Sequence, residues 1–210
     1  MKKGKTMNLV ILSASQRTQS QSAKVAEYIA ESVTGYGNVT HFELCQYNLP
    51  LWDGTPESKS AELCDWPFLN EKISQADAFI MITPEWSGMA SPLLKNILLM
   101  CPGQITAHKP VLLVAISGGI SGAYPIAELR MNAFKNNKLV AIPDHLIIRN
   151  VGEVLNCDST SELSEKDSNI RDRIGYSLHT LYNYSESLQA LRTNLSISPY
   201  NNEERFTNGM

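Results

Sequence analysis

Several things this chain lacks narrow its function before any motif is read. Its four cysteines, Cys45, Cys64, Cys101 and Cys157, are widely spaced, with no CxxC pair and no companion histidines. Neither a zinc site nor a redox dithiol is indicated, and each thiol reads as a small core residue in a reducing compartment. His41, His108, His145 and His179 are dispersed as well and form no ligand spacing, so no metal is expected. Lysine and arginine form no cluster, and a net charge of −3 leaves no electrostatic footprint for nucleic acid. No apolar run is long enough to span a membrane. The basic head MKKGKTMNLVIL has too short an apolar run, and no cleavage site, to be a signal peptide. These absences lead to a cytoplasmic protein with no nucleic-acid or membrane partner. No internal repeat or low-complexity linker divides the chain, so residues 1–195 are expected to form one domain, followed by a loose polar tail over 196–210.

What is present is the composition of an ordinary globular protein, 43% apolar and 19% charged, arranged in alternation. Short aliphatic runs at Leu9–Leu12, Ala78–Ile82, Val111–Ile116 and Leu139–Ile142 read as buried strands, and Val39–Leu44 alternates like one. In that last segment Thr40, Phe42 and Leu44 share a face, opposite Val39 and His41. Between the strands, apolar residues recur at helical spacing over Ser22–Val33, Phe68–Ala76, Ser91–Met100 and Ala123–Asn136. A long helix over Ser164–Leu195 carries the stripe Ile170, Ile174, Leu178, Leu181, Leu188 and Leu191. Gln46–Trp66 is polar and broken by Pro50, Gly54 and Pro56, so it reads as a surface loop, with Trp52 and Trp66 pinning it to the sheet. Continuous aliphatic strands alternating with amphipathic helices predict an α/β fold: a doubly wound, five-stranded parallel sheet with helices on both faces. Ligands of such sheets bind outside the carboxyl ends of the strands, where the strand order reverses.

Three strand ends carry loops richer than a connection requires. The first, SASQRTQSQS, combines Ser13, Ser15, Thr18, Ser20 and Ser22 with Arg17, just before a helix start. Unpartnered backbone N–H groups at a helix N-terminus suit a phosphate, and hydroxyls with one guanidinium add to them. A capped turn of no further consequence has the same composition. The second loop is TPEWSGMASPLLKN, where Pro84, Gly88 and Pro92 bend the chain, Glu85 can organise its amides, and Trp86 offers a flat apolar surface. Lys95, in the helix that follows, reads as a solvated surface charge. The third, SGGISGAYP, has Gly118, Gly119 and Gly122 for close backbone approach, with Ser117, Ser121 and Tyr124. Together they make an anion cradle and two loops suited to a planar heterocycle.

These motifs resemble those of the NADPH-dependent FMN reductase family of flavodoxin-like proteins, which includes quinone-, chromate- and azo-dye-reducing flavoenzymes. The family shows GSxRxxSxN after strand one, PEYNxSxPxxLKN after strand three, and a serine–glycine loop after strand four. Here ASQRTQSQS, PEWSGMASPLLKN and SGGISGAYPIAELR stand in those places. The resemblance implies FMN as cofactor, with NADPH or NADH as co-substrate. Ser15, Arg17, Ser20 and Ser22 would then hold the phosphate, Pro84, Glu85, Trp86, Ser87 and Gly88 would line the ring, and Ser117, Gly118, Gly119, Ser121 and Gly122 would close its other side. It further implies ping-pong hydride transfer on the flavin to a small-molecule electron acceptor, with no catalytic side chain, in a homodimer or homotetramer. The chain departs from the pattern at Ala14 for glycine, Ser22 for asparagine and Trp86-Ser87 for Tyr-Asn, and its proline stands one place later, at Pro92. Two other classes fit parts of the sequence. One is a flavin-binding electron carrier or low-turnover scaffold. The other is a serine hydrolase using Ser121, whose GISGA setting approximates a nucleophile elbow.

Overall fold

The computed structural model describes residues 6–60, 62–156 and 163–206; Cys157 and the last residues of the tail lie outside them. Five strands, β1 (Asn8–Ser13), β2 (Asn38–Glu43), β3 (Ala78–Pro84), β4 (Pro110–Ile116) and β5 (Val140–Ile148), pair in parallel in the order β2-β1-β3-β4-β5. Helices α1 (Gln21–Ser32), α2 (Trp66–Gln75), α3 (Pro92–Met100), the single turn α4 (Gly103–Thr106), α5 (Ala123–Asn132) and α6 (Glu165–Ile197) complete the chain. This is the doubly wound α/β fold expected, with its strand order reversing between β1 and β3.

The period of two in each strand divides the core. Leu9, Ile11, Ile80, Ile82, Leu112 and Val114 face α1 and α6, where Val25, Ala26, Ile29, Ile174, Leu178 and Leu181 meet them. Val10, Leu12, Phe79, Met81, Val111 and Leu113 face the other way, toward Leu69 and Ile73 of α2, Leu94 and Ile97 of α3, and Ile126 and Leu129 of α5. The faces predicted for β2 hold: Phe42 and Leu44 are buried with the second group, and Val39 packs with the first. Phe68, expected on the apolar side of its helix, is 52% exposed, although its ring stacks against Tyr47.

α5 ends at Asn132 rather than Asn136, and β5 and α6 depart from the sequence expectation for identifiable reasons. β5 runs to Ile148, past Pro143-Asp144-His145. The apolar run stops at Ile142 because the chain bulges there: Val111 pairs with Ala141, but Leu113 pairs with His145. Proline cannot donate to a ladder and is tolerated at a bulge on an edge strand. The carbonyls of Ile142, Pro143 and Asp144 are collected by one nitrogen of the Arg130 guanidinium, at 2.6, 3.1 and 3.0 Å. The second difference concerns α6. Its stripe is buried only at Ile174, Leu178 and Leu181; Ile170 and Leu188 are half-buried and Leu191 exposed, while Ser177 and Ser185 are fully buried between the apolar turns. Polar contacts fasten the helix instead. Arg192 bonds Asp77 and the His108 carbonyl, both at 3.0 Å, and Tyr36 shares a hydrogen bond with Ser185 at 2.7 Å.

The segment between β2 and α2 touches the loop after β1 through Cys45, whose thiol bonds the Arg17 carbonyl, and its later part is held against α3. Lys59 lies 3.9 Å from the centroid of the Trp52 ring and 5.3 Å from that of Trp66, and donates to the Met100 carbonyl. Asn96 of α3 receives the Trp52 amide and donates to the Pro50 carbonyl. The tryptophans therefore pin this loop, through a shared cation, to α3 as well as to the core.

In the first half of α6, Arg173 pairs with Asp144, and Ser177 donates to the same carboxylate at 2.7 Å. The Arg173 hydrogen bond, more than any other influence, holds the Asp144 carboxyl below its ordinary range. A depressed carboxyl stabilises the fold above the unfolded-state pKa, and that contribution disappears as pH falls through the lower folded-state value. Asp144→Asn is expected to cost ~2 kcal/mol at neutral pH, the scale of a charged hydrogen bond lost from a partly buried site. In urea titrations at successive pH values, the gap between wild type and variant should close below about pH 4, the ordinary aspartate range.

Candidate functional site

Because every strand is parallel, the loops after β1, β3 and β4 emerge at one edge of the sheet. They line a cleft of about 310 Å³ bounded by Ser15, Arg17, Ser20, Ser22, Pro84, Glu85, Trp86 and Gly118, together with Gln19, Gln21, Ile116 and Val151. A larger hollow of about 560 Å³, beside Ile147, Val154 and Ile170, lies against α6. None of the three loops lines it, and its cations Arg149, Lys166 and Arg173 are engaged with the Ser121 carbonyl, Glu153 and Asp144. The smaller cleft holds the chemistry.

The first loop is arranged as an anion cradle. Ser20 caps α1 by accepting from the Ala23 amide at 3.0 Å, and Ser15 accepts from the Arg17 amide at 3.1 Å. Among the described residues, the amides of Thr18, Gln19, Ser20, Gln21 and Ser22 have no protein partner. A helix start with unmatched donors beside a guanidinium is where a phosphate is stabilised. Ala14 does not crowd this cradle: it is fully buried, its methyl joins the core, and its amide donates to Ile82. The guanidinium of Arg17 lies 5.2 Å from the centroid of the Trp86 ring and so ties the first loop to the second.

The second loop is tighter than its sequence suggested. Trp86 and Met89 bridge in antiparallel fashion, and both Ser87 (φ 51°) and Gly88 (φ 77°) adopt left-handed backbone. Positive φ at both central positions defines a type I′ turn. This turn leaves the Ser87 and Gly88 amides without a partner among the described residues. Its far side is anchored by a residue that sequence reasoning missed. Glu128 of α5 accepts from the Ala90 amide at 2.7 Å and from Lys95 at 3.0 Å, so Lys95 is not the free surface charge expected. Burial opposes ionisation of Glu128, but the Ala90 amide and Lys95 outweigh it and hold the carboxyl below its ordinary range. The only sequence signal was the pairing of a lysine and a glutamate in two motifs separated by a strand.

The third loop is held from β5. Ser117 donates its amide to Ile148, Val151 donates to Ser117, Asn150 donates to Gly119, and Arg149 bonds the Ser121 carbonyl at 3.0 Å. Gly122 has φ +113°, and a Cβ there would lie 2.5 Å from Ile147. Gly118 differs: its backbone is not left-handed, and a Cβ there would meet nothing within 4 Å. The protein itself does not require glycine at that position, which borders the cleft. Ser87, Gly88, Ser117, Gly119, Ser121 and Gly122 stand in the same loops but do not line the cleft wall. The Ser121 hydroxyl faces Ser117 at 3.1 Å, and neither His145 nor His179 bonds to it, so the hydrolase reading lacks its base. Among the described residues, no group of acidic, histidine and cysteine side chains is placed to hold a metal ion.

The family model described as NADPH-dependent FMN reductase matches residues 7–153. The chain belongs to that family. Its place is therefore among NAD(P)H-dependent flavoenzymes that use FMN. It is 31% identical over 116 residues to an NADPH azoreductase of Bacillus sp. (strain OY1-2), covering 55% of this chain and 62% of that protein. It is 27% identical over 171 residues to an FMN-dependent NADPH-azoreductase of Staphylococcus aureus, covering 80% of this chain and 90% of that one. An oxidoreductase structure from Corynebacterium diphtheriae superposes with a TM-score of 0.65 at 16% identity, over 87% of this chain and 98% of that chain, which shows the shared fold.

Since Glu128 anchors the turn from behind, Glu128→Gln is expected to weaken FMN binding three- to tenfold, about one charged hydrogen bond. The melting temperature should shift by less than about 3 °C, the effect of a partly exposed surface pair. Fluorescence titration of the apoprotein with FMN, beside a thermal melt, separates the two effects.

Proposed function

We propose that this protein is an FMN-dependent NAD(P)H oxidoreductase that passes hydride from reduced nicotinamide to a quinone, flavin or similar small acceptor by a ping-pong route. The observation that carries this reading is the run of unpartnered amides from Thr18 to Ser22 beside Arg17, at the point where the strand order reverses. Ser15, Arg17, Ser20 and Ser22 hold the phosphate by charge and hydrogen bonding. The Trp86–Met89 turn sets Trp86 in the wall beside the ring, and Gly118 lets the third loop approach the ring without a side chain between them. FMN, when bound, supplies the two-electron chemistry, and the protein orients it, excludes water and leaves one face open for donor and acceptor in turn.

The same reading includes a homodimer or homotetramer. Met89, Leu99, Tyr124 and Met131, on the flavin turn, α3 and α5, are all more than half exposed, an apolar content suited to burial by a second copy. A cytoplasmic setting agrees with the free thiols Cys45, Cys64 and Cys101. No helix among the described residues is long and apolar enough to cross a membrane. The electron-carrier alternative shares the cofactor and is distinguished by turnover.

Apoprotein titrated with FMN should turn yellow with 1:1 stoichiometry, and the holoprotein should oxidise NADPH or NADH with a quinone or an azo dye. Bound flavin without turnover on any acceptor would favour the carrier. Arg17→Ala should weaken FMN at least tenfold, the scale of one phosphate ion pair, with a steeper loss at low salt than at high. Gly118→Ala should leave the melting temperature unchanged while weakening FMN by a similar factor. If Gly118→Ala bound FMN as tightly as wild type, the ring would lie elsewhere.

A further inference from the structure

Lys24 stands in the first turn of α1, where a cation opposes the helix dipole. Its half-buried side chain meets three acceptors, as many as an ammonium has protons. It donates to the Val151 carbonyl at 2.7 Å, the Val154 carbonyl at 2.9 Å and Asn156 Oδ1 at 2.7 Å. All three belong to the segment after β5, a strand set three places from β1, roughly 14 Å at ordinary spacing. Left-handed backbone at two residues other than glycine, Asn150 (φ 47°) and Leu155 (φ 58°), brackets most of that segment. Such conformations cost of order 1 kcal/mol or more each and persist only where the surroundings hold them. Here they are held from two sides. Lys24 takes the carbonyls, and the buried Asp167 of α6 accepts the Leu155 amide at 2.8 Å.

We infer that Lys24 is a positioning residue for the cofactor, tying the segment after β5 to the helix that carries the phosphate cradle, an inference that rests on the flavin reading above. The path from it to the cleft is short and continuous. Val151, whose carbonyl Lys24 takes, lines the same cleft as Gln21, Ser22 and Gly118. The Val151 amide donates to the Ser117 carbonyl at 3.1 Å, and the Asn150 amide to that of Gly119 at 3.0 Å. One ammonium therefore joins the helix of the cradle to the loop that closes over the ring. A ligand gripped at its phosphate by one wall and at its ring by another needs the two at a fixed separation. Walls already held in that geometry lose less freedom on binding. Lys24 acts through geometry and not as a charge on the phosphate, because its three acceptors are protein oxygens. Even the side-chain acceptor is fixed, since Asn156 donates in turn to the Gly152 carbonyl at 2.6 Å.

The test sets Lys24→Met and Asn156→Ala beside Arg17→Ala and Asp144→Asn, with FMN affinity and release from the holoprotein read by flavin fluorescence at low and high salt. Lys24→Met is expected to weaken FMN about tenfold, the scale of one charged hydrogen bond, mainly through faster release. Asn156→Ala removes one acceptor of the three and should weaken FMN about threefold. It carries the comparison should Lys24→Met fail to fold. Both losses should persist at high salt while that of Arg17→Ala shrinks, because screening acts on a charge that faces the ligand and not on the geometry of a wall. Asp144→Asn, which destabilises the fold from outside the cleft, should leave FMN affinity within about twofold of wild type, since no residue lining the cleft is touched. A Lys24→Met loss that disappears at high salt would overturn the inference and make Lys24 a charge on the phosphate. Equal weakening by Asp144→Asn would overturn it in favour of general stability. Unchanged FMN affinity in both Lys24→Met and Asn156→Ala would overturn it as well. Failure of the wild type to bind FMN would overturn the flavin reading together with this one, so the two failures are distinct.

Discussion

Everything at the site depends on β1 being paired in parallel on both sides, with β2 at one edge and β3 at the other. A parallel strand must be followed by a crossover, and the crossovers leaving β1 and β3 run to opposite sides of β1. α1 therefore descends on one face and α3 on the other, and a gap opens above the strand ends between them. The gap does not come from any one loop. It arises where the sheet changes winding direction, and the three loops are its walls. The buried aliphatic ladder beneath, from Leu9–Leu12 to Phe79–Ile82, holds those walls at fixed spacing because any slip in register would turn core side chains toward the wrong face.

On that frame, each wall is made rigid in a different way. The cradle loop relies on helix capping by Ser20 and on the Ser15–Arg17 turn. The turn after β3 relies on two left-handed residues and on Glu128 reaching across from α5. The glycine loop is tied to β5 through Ile148, Asn150 and Val151. In the first two loops, backbone N–H groups are left without a partner among the described residues. Backbone donors beside a guanidinium suit a ligand rich in anionic and carbonyl acceptors. FMN has that distribution.

The sequence departures from the family pattern also become readable as physics. Ala14 keeps its methyl in the core, so a glycine there is not needed for access to the cradle. Trp86 in place of tyrosine gives Arg17 an indole face, the strongest of the aromatic partners for a cation. Ser87 occupies a left-handed position that asparagine fills with less strain, so the loss falls on turn stability rather than on the cleft wall, which Ser87 does not line.

Local chemistry determined much of this protein before folding. Periodicity set the strands, the helices and their buried faces, and the glycine, serine and proline content of three segments marked them as the functional loops. Those properties are written in residues a few positions apart. Tertiary structure decided what depends on residues far apart in the chain. It carried β5 past Pro143, because Arg130 collects the carbonyls a bulge exposes. It left Leu191 in solvent and fastened the end of α6 through Arg192 and Asp77. It paired Lys95 with Glu128 and left Glu85 without a partner, since which buried groups find one another is a property of packing and leaves no periodic trace in the sequence.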